Sequence, residues 1–101
     1  MTNASDVLMV QAIAEEYSEL LGFDCSAKRR LRPIIEARAA LYEVLTDQFD
    51  RRVFSKAMSI DRTTTYNIQR NLETYNRFSK YYAGYHSKAS KAYENVKNKC
   101  L

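Results

Sequence analysis

The sequence predicts an all-α domain, and three observations carry that prediction. Two Gly and one Pro in 101 residues are too few for a sandwich or barrel that turns about every ten residues. Apolar residues recur at three- and four-residue steps through most of the chain. A composition of 46% apolar and 28% charged residues is that of a globular chain rather than a disordered one. A chain this long has room for one domain and buries about two-thirds of its unfolded surface.

The first helix starts at a cap, Ser5 or Asn3, and carries Val10, Ile13, Ala14, Tyr17, Leu20 and Leu21 on one stripe. Gly22 is expected to stop it as a C′ residue, with Phe23 following. Glu15, Glu16 and Glu19 fall on the opposite, wet face. Residues 26–32 form a basic loop, and Pro33 suits the first turn of the next helix, where its missing N–H would be unpaired anyway. This second helix is expected to run to about Asp47, with Ile34, Ile35, Leu41, Tyr42 and Leu45 on a broad stripe. Arg38 is the odd member of that stripe: either a stem lying along the edge of the core or a hand for phosphate.

Residues 49–76 read as two helices at a sharp turn. Asp50 caps a short helix, Arg51 to Ala57, anchored by Phe49 and Phe54. Met58-Ser59-Ile60 is the turn, and Asp61 caps a helix opening Arg62-Thr63-Thr64-Thr65-Tyr66-Asn67 and continuing through Ile68 and Leu72. A short helix, a tight turn and a polar-fronted helix are the local grammar of a helix-turn-helix, although any tight αα corner looks similar. Thr65 is expected to pack its methyl group into the turn. Residues 75–98 read as one long helix with a seam of Tyr75, Phe78, Tyr82, Tyr85, Ala89, Ala92 and Val96, and Gly84 marks where it would bend. That seam either folds back on the first helix or makes a homodimer contact. The expected organisation is therefore a domain over residues 1–76 and a helical extension over 77–101.

Charge is unevenly placed. Residues 1–24 carry five acids and no Lys or Arg, a net of −5, which excludes the basic start of a secretory signal. Residues 25–101 hold all sixteen Lys and Arg against seven acids, a net of +9. Such asymmetry points to a polyanion-binding body with an acidic segment turned away. Cys25 and Cys100 are isolated, and with a single His no zinc or disulfide framework is expected. No phosphate-cradling Gly loop and no HExxH set occurs, and His86 sits in a Lys-rich stretch, so neither catalysis nor a cofactor nor a small-molecule substrate is expected. No run of about 20 apolar residues is present, so no membrane span is expected and the setting is read as cytoplasmic.

Nucleic-acid binding has two candidate sites. Lys28, Arg29, Arg30 and Arg32 put four cations in five positions at a loop–helix junction, a density best tolerated against phosphate. At the other, Arg62, Thr63, Thr64 and Asn67 can face outward together from the front of a helix and offer donors and acceptors to base edges. Tyr81, Tyr82 and Tyr85 among Lys80 and Lys88 also suit single-stranded stacking, but the seam would bury Tyr82 and Tyr85.

These residues resemble a known family. Residues 7–72 resemble the C-terminal DNA-binding domain (domain IV) of the bacterial replication initiator DnaA, a helical Trp-repressor-like fold. The likeness rests on Ala14-Glu15-Glu16-Tyr17 in the first helix, on the run from Ser26 through Lys28-Arg29-Arg30-Leu31-Arg32-Pro33-Ile34-Ile35-Glu36-Ala37-Arg38 to Tyr42, and on Asp61-Arg62-Thr63-Thr64, which is similar to the family's D-H-T-T. The resemblance implies that Arg30 or Arg32 enters the minor groove. It implies that Asp61, Arg62 and Thr63 read major-groove edges while Thr64 and Arg38 touch phosphate. Arg62 stands where the family has His, and Met58-Ser59-Ile60 where it has Gly-Gly-Arg. A bidentate Arg favours guanine, so the DNA site is expected to differ from the initiator's own. The family's ATPase module has no counterpart here. The expected function is sequence-specific double-stranded DNA binding, regulatory or accessory to replication; the alternative is a protein-interaction module working through the Tyr-rich C-terminal helix.

Overall fold

Helix α1 (Ala4–Leu21) ends where Gly22 takes a φ of 84°, a left-handed conformation that glycine adopts without a Cβ penalty. Gly22 N–H closes the last turn on Ser18 O at 2.9 Å. The chain then doubles back onto α1 at Cys25. Its N–H donates to Ser18 Oγ at 3.1 Å and its buried thiol points at Ala14 O. The computed structural model describes residues 4–27 and 31–99, and no strand occurs among them. The predicted cluster Lys28, Arg29 and Arg30 lies outside the described residues.

Helix α2 (Arg32–Leu45) begins from an extended Leu31, with Pro33 in its first turn, where it displaces no hydrogen bond. The helix stops two residues short of the predicted Asp47, because Gln48 and Phe49 N–H turn back onto Leu45 O. Its buried residues include Ile34, Glu36, Ala37, Ala39, Ala40, Leu41, Tyr42 and Leu45, so α2 is covered on most sides. The run of small alanines lets neighbouring backbones come close, and the Tyr17 hydroxyl reaches in from α1 to donate to Ala37 O at 2.8 Å.

Helix α3 (Arg51–Met58) packs on α1 and is capped by Asp50, which accepts from Arg52 N–H at 2.8 Å. Helix α4 (Arg62–Phe78) packs on α2 and is capped by Asp61 through Thr63 N–H. Between them Ser59 holds a φ of 55°, left-handed in a residue that carries a Cβ. Helix α4 buries only Thr65 and Ile68 fully, with Leu72 and Tyr75 half-buried behind them. Thr65 is in the core as expected, its Oγ1 donating to Arg62 O.

Helix α5 (Tyr82–Lys99) packs against α1 and α2. The single long helix expected over 75–98 is therefore two helices, and the break falls at residues 79–81, not at Gly84. Gly84 lies inside α5, which runs unbroken through it. The break is set by packing. Ser79 N–H closes α4 on Tyr75 O, and Tyr82 swings back into the core and stacks on Tyr75 at 5.8 Å. Phe78, placed on the seam by periodicity, is consequently 75% exposed.

The seam from Tyr82 through Ala89, Ala92 and Val96 is filled within the chain, and one continuous core joins residues on both sides of the expected 76/77 boundary. Glu16, expected on the wet face of α1, instead meets α5, accepting from Asn95 at 3.3 Å and pairing with Lys99 at 3.6 Å. Glu43 ties three helices together: it accepts from the Tyr82 hydroxyl at 2.8 Å and from Asn76, with His86 Nε2 at 3.9 Å. The radius of gyration, 12.5 Å, is close to the roughly 13 Å of a compact domain of this length. No helix among the described residues is long and apolar enough to cross a membrane.

Candidate nucleic-acid interface

Because α4 buries so narrow a stripe, most of its side chains stand in solvent. Arg62, Thr63, Tyr66, Asn67, Gln69, Arg70, Asn71, Glu73 and Thr74 are all exposed. A helix that presents that much polar surface gains little from the core and is available to a partner. Its front edge and the side of α2 form the walls of an open groove of about 580 Å³. Four predicted site residues meet there: Arg38 from α2, the cap Asp61, and Thr64 and Asn67 from α4. Thr63 stands exposed on the same first turn.

Arg38 has a definite task in this arrangement. Its Nε donates to Cys25 O at 3.2 Å and a terminal nitrogen donates to Ala27 O at 2.7 Å. The guanidinium thus clamps the two carbonyls that lead into Lys28, and burial pulls its pKa below the usual arginine value. The sequence left a choice between a stem on the core edge and a hand for phosphate. The side chain is half-buried, lines the groove, and has two of its donors committed to the loop. Asp24 stabilises the start of the same loop. It accepts from the Ser26 hydroxyl and the Ser26 N–H, bonds that hold its carboxyl below the ordinary aspartate range.

Two predicted residues lie elsewhere. Arg62 turns from the groove toward α3 and lines a separate cleft with Arg51, Arg52 and Lys56. There Arg62, with the charge of Arg51 beside it, draws the Tyr66 phenol below its ordinary pKa. Arg51 stacks on the Tyr66 ring at 4.1 Å. Arg32 sits at the α4–α5 junction, 80% exposed, its Nε 3.3 Å from the buried carboxylate of Glu36. That junction also presents Phe78 and Tyr81, the latter 60% exposed.

Sequence reasoning missed Glu36, Glu43 and the α3 cations. Arg32 and Glu36 are an i, i+4 pair, as are Arg52 and Lys56, so spacing alone put each pair on one helical face. The spacing marked the stripe of Ile34, Leu41, Tyr42 and Leu45 that is buried, but not that α2 would be covered on most sides and so bury Glu36 as well. Cys25 has basic neighbours in sequence, yet burial pushes its thiol pKa up, away from reactivity. Among the described residues no group of three His, Cys, Asp or Glu is placed to hold a metal ion. No protein-family model, curated protein or solved structure matches this chain.

Proposed function

We propose that this chain binds double-stranded DNA in a sequence-specific manner, with α3, the Ser59 turn and α4 acting as a helix-turn-helix. The observation that carries the reading is α4 itself, a helix that buries two residues fully and offers Thr63, Thr64 and Asn67 at its front. Hydroxyl and amide groups at a helix front suit base edges in the major groove, and the Asn amide can pair with adenine N6 and N7. The loop that Arg38 clamps leads directly into Lys28, Arg29 and Arg30, whose charge suits phosphate or the minor groove. The resemblance of residues 26–42 and 61–64 to the DnaA C-terminal domain supports the same reading. DNA as ligand implies a cytoplasmic regulatory or replication-accessory role.

Titration of a labelled duplex recovered by selection from a random pool tests this. Affinity should fall steeply between 50 and 200 mM salt, by about 10³ if six phosphates are contacted. Asn67→Ala should cost about 1–3 kcal/mol on that duplex and little on random sequence. Absence of duplex binding at low salt would end the proposal.

A second reading has its own observation. Phe78 and Tyr81 stand exposed beside Arg32 and Lys80, a surface that suits a protein partner. A second copy is one such partner, meeting this surface rather than the α5 seam, which is filled from within.

A further inference from the structure

The cleft between α3 and the start of α4 measures about 280 Å³, and four of the six residues lining it are cations: Arg51, Arg52, Lys56 and Arg62. The nearby acids are both occupied at helix starts. Asp50 caps α3 and lies 3.9 Å from Arg52, and Asp61 caps α4. Four like charges from two helices around one hollow repel each other unless an anion sits among them.

Two of the four gather on one aromatic ring. The Arg51 guanidinium lies 4.1 Å over the Tyr66 ring, and Arg62 lies 6.0 Å from the centroid of the same ring. A guanidinium lying over a ring face keeps its N–H edges available to a ligand, and the Arg51 contact is of this kind. The remaining lining residues are Ile60 and Ser55, and Ser55 Oγ is the one buried side-chain N or O among the described residues without a hydrogen-bond partner. Guanidiniums and an ammonium converging on one hollow are complementary to the oxygens of a phosphate.

We propose that this cleft seats a phosphate of the DNA backbone, and that Arg62 is one of its ligands rather than a reader of a base edge. The inference rests on the DNA reading above and changes its specificity. Guanine recognition by Arg62 drops out, and discrimination at the front of α4 falls to Thr63, Thr64 and Asn67, which lie outside the cleft.

The test compares Arg62→Ala, Arg62→Lys and the double variant Arg52→Gln/Lys56→Gln in the full chain. Arg51 is left in place because it also stacks on Tyr66. The probes are the duplex selected from a random pool and a random-sequence duplex, each titrated across salt. Arg62→Ala should weaken both duplexes by the same factor, on the order of tenfold at low salt, and lower the salt slope by about 1. Arg62→Lys should recover most of the loss, and the double variant should lower the slope further. A loss confined to the selected duplex, an unchanged slope and no rescue by Lys would overturn the assignment. So would wild-type binding by all three variants, which would leave the DNA reading standing. Should the wild type bind no duplex, the DNA reading fails, and inorganic phosphate judges the cleft. A rise in Tm over chloride at equal ionic strength, absent in the double variant, would keep it as an anion site. No such rise would remove it.

Discussion

Replacing Arg38 with Met should separate what this side chain does for the fold from what its charge does for a ligand. Its two bonds, to Cys25 O at 3.2 Å and Ala27 O at 2.7 Å, come from a charged donor. Each such bond contributes about 1.5–3 kcal/mol. The guanidinium is half-buried, and the burial that lowers its pKa offsets part of that gain. Water also reaches the carbonyls once the side chain is gone. The net loss should therefore be about 1–3 kcal/mol. In a domain of this length each kcal/mol lowers Tm by about 4–8 °C, so Arg38→Met should melt roughly 5–20 °C below wild type by circular dichroism. Arg38→Lys should recover only part of this, because one ammonium lacks the planar fork that spans two carbonyls. A Met variant that melts with the wild type, or a Lys variant that restores it fully, would refute the clamp and leave Arg38 as surface charge alone.

Three further outcomes are expected. Ser59→Gly relieves a left-handed residue with a Cβ, and after the cost of a more flexible unfolded chain it should raise stability by about 0.5–1 kcal/mol in urea titration. A neutral or negative change would mean that the turn is not strained. Glu43→Leu should cost more than Tyr82→Phe, by about 1 kcal/mol or more, because the former leaves the Tyr82 hydroxyl unpaired in the core while the latter leaves a partly wet carboxylate; equal losses would deny the asymmetry. Burial raises the pKa values of Tyr17 and Tyr82, in Tyr82 reinforced by Glu43, above the ordinary value near 10. Their contribution is fully present below pH 10 and is lost as pH rises above it, since the unfolded chain releases those protons first. Tyrosinate absorbance should show exposed Tyr66, drawn down by Arg62 and Arg51, titrating early. The last tyrosines should titrate together with loss of helix. All eight titrating with the helices intact would contradict this.

The parts of the fold legible in the sequence were those set by local chemistry. Gly22, Asp50, Asp61 and Pro33 mark helix ends through backbone preferences that hold whatever surrounds them, and each acts where it was expected. The division of residues 75–98 was not legible. Ser79-Lys80-Tyr81 contains no breaker, and the chain turns there because Tyr82 is worth more in the core than in a continued helix. Gly84 offered the visible signal, yet α5 runs through it without a break. The same limit applies to the site. Sequence spacing could bring Thr64 and Asn67 to one face, but it could not show that Arg62 would lean the other way toward Tyr66 and the α3 cations. Nor could it show that Arg38 would face inward to two carbonyls thirteen and eleven residues back in the chain.

The most direct test of the account is amide chemical-shift mapping of the full chain against the selected duplex. Shifts should concentrate at residues 61–67, along Arg51, Arg52 and Lys56, and in the basic loop, while the acidic face of α1 at Glu15 and Glu19 stays unmoved. Shifts centred on Phe78 and Tyr81 with the front of α4 silent, or no shifts at all, would contradict it.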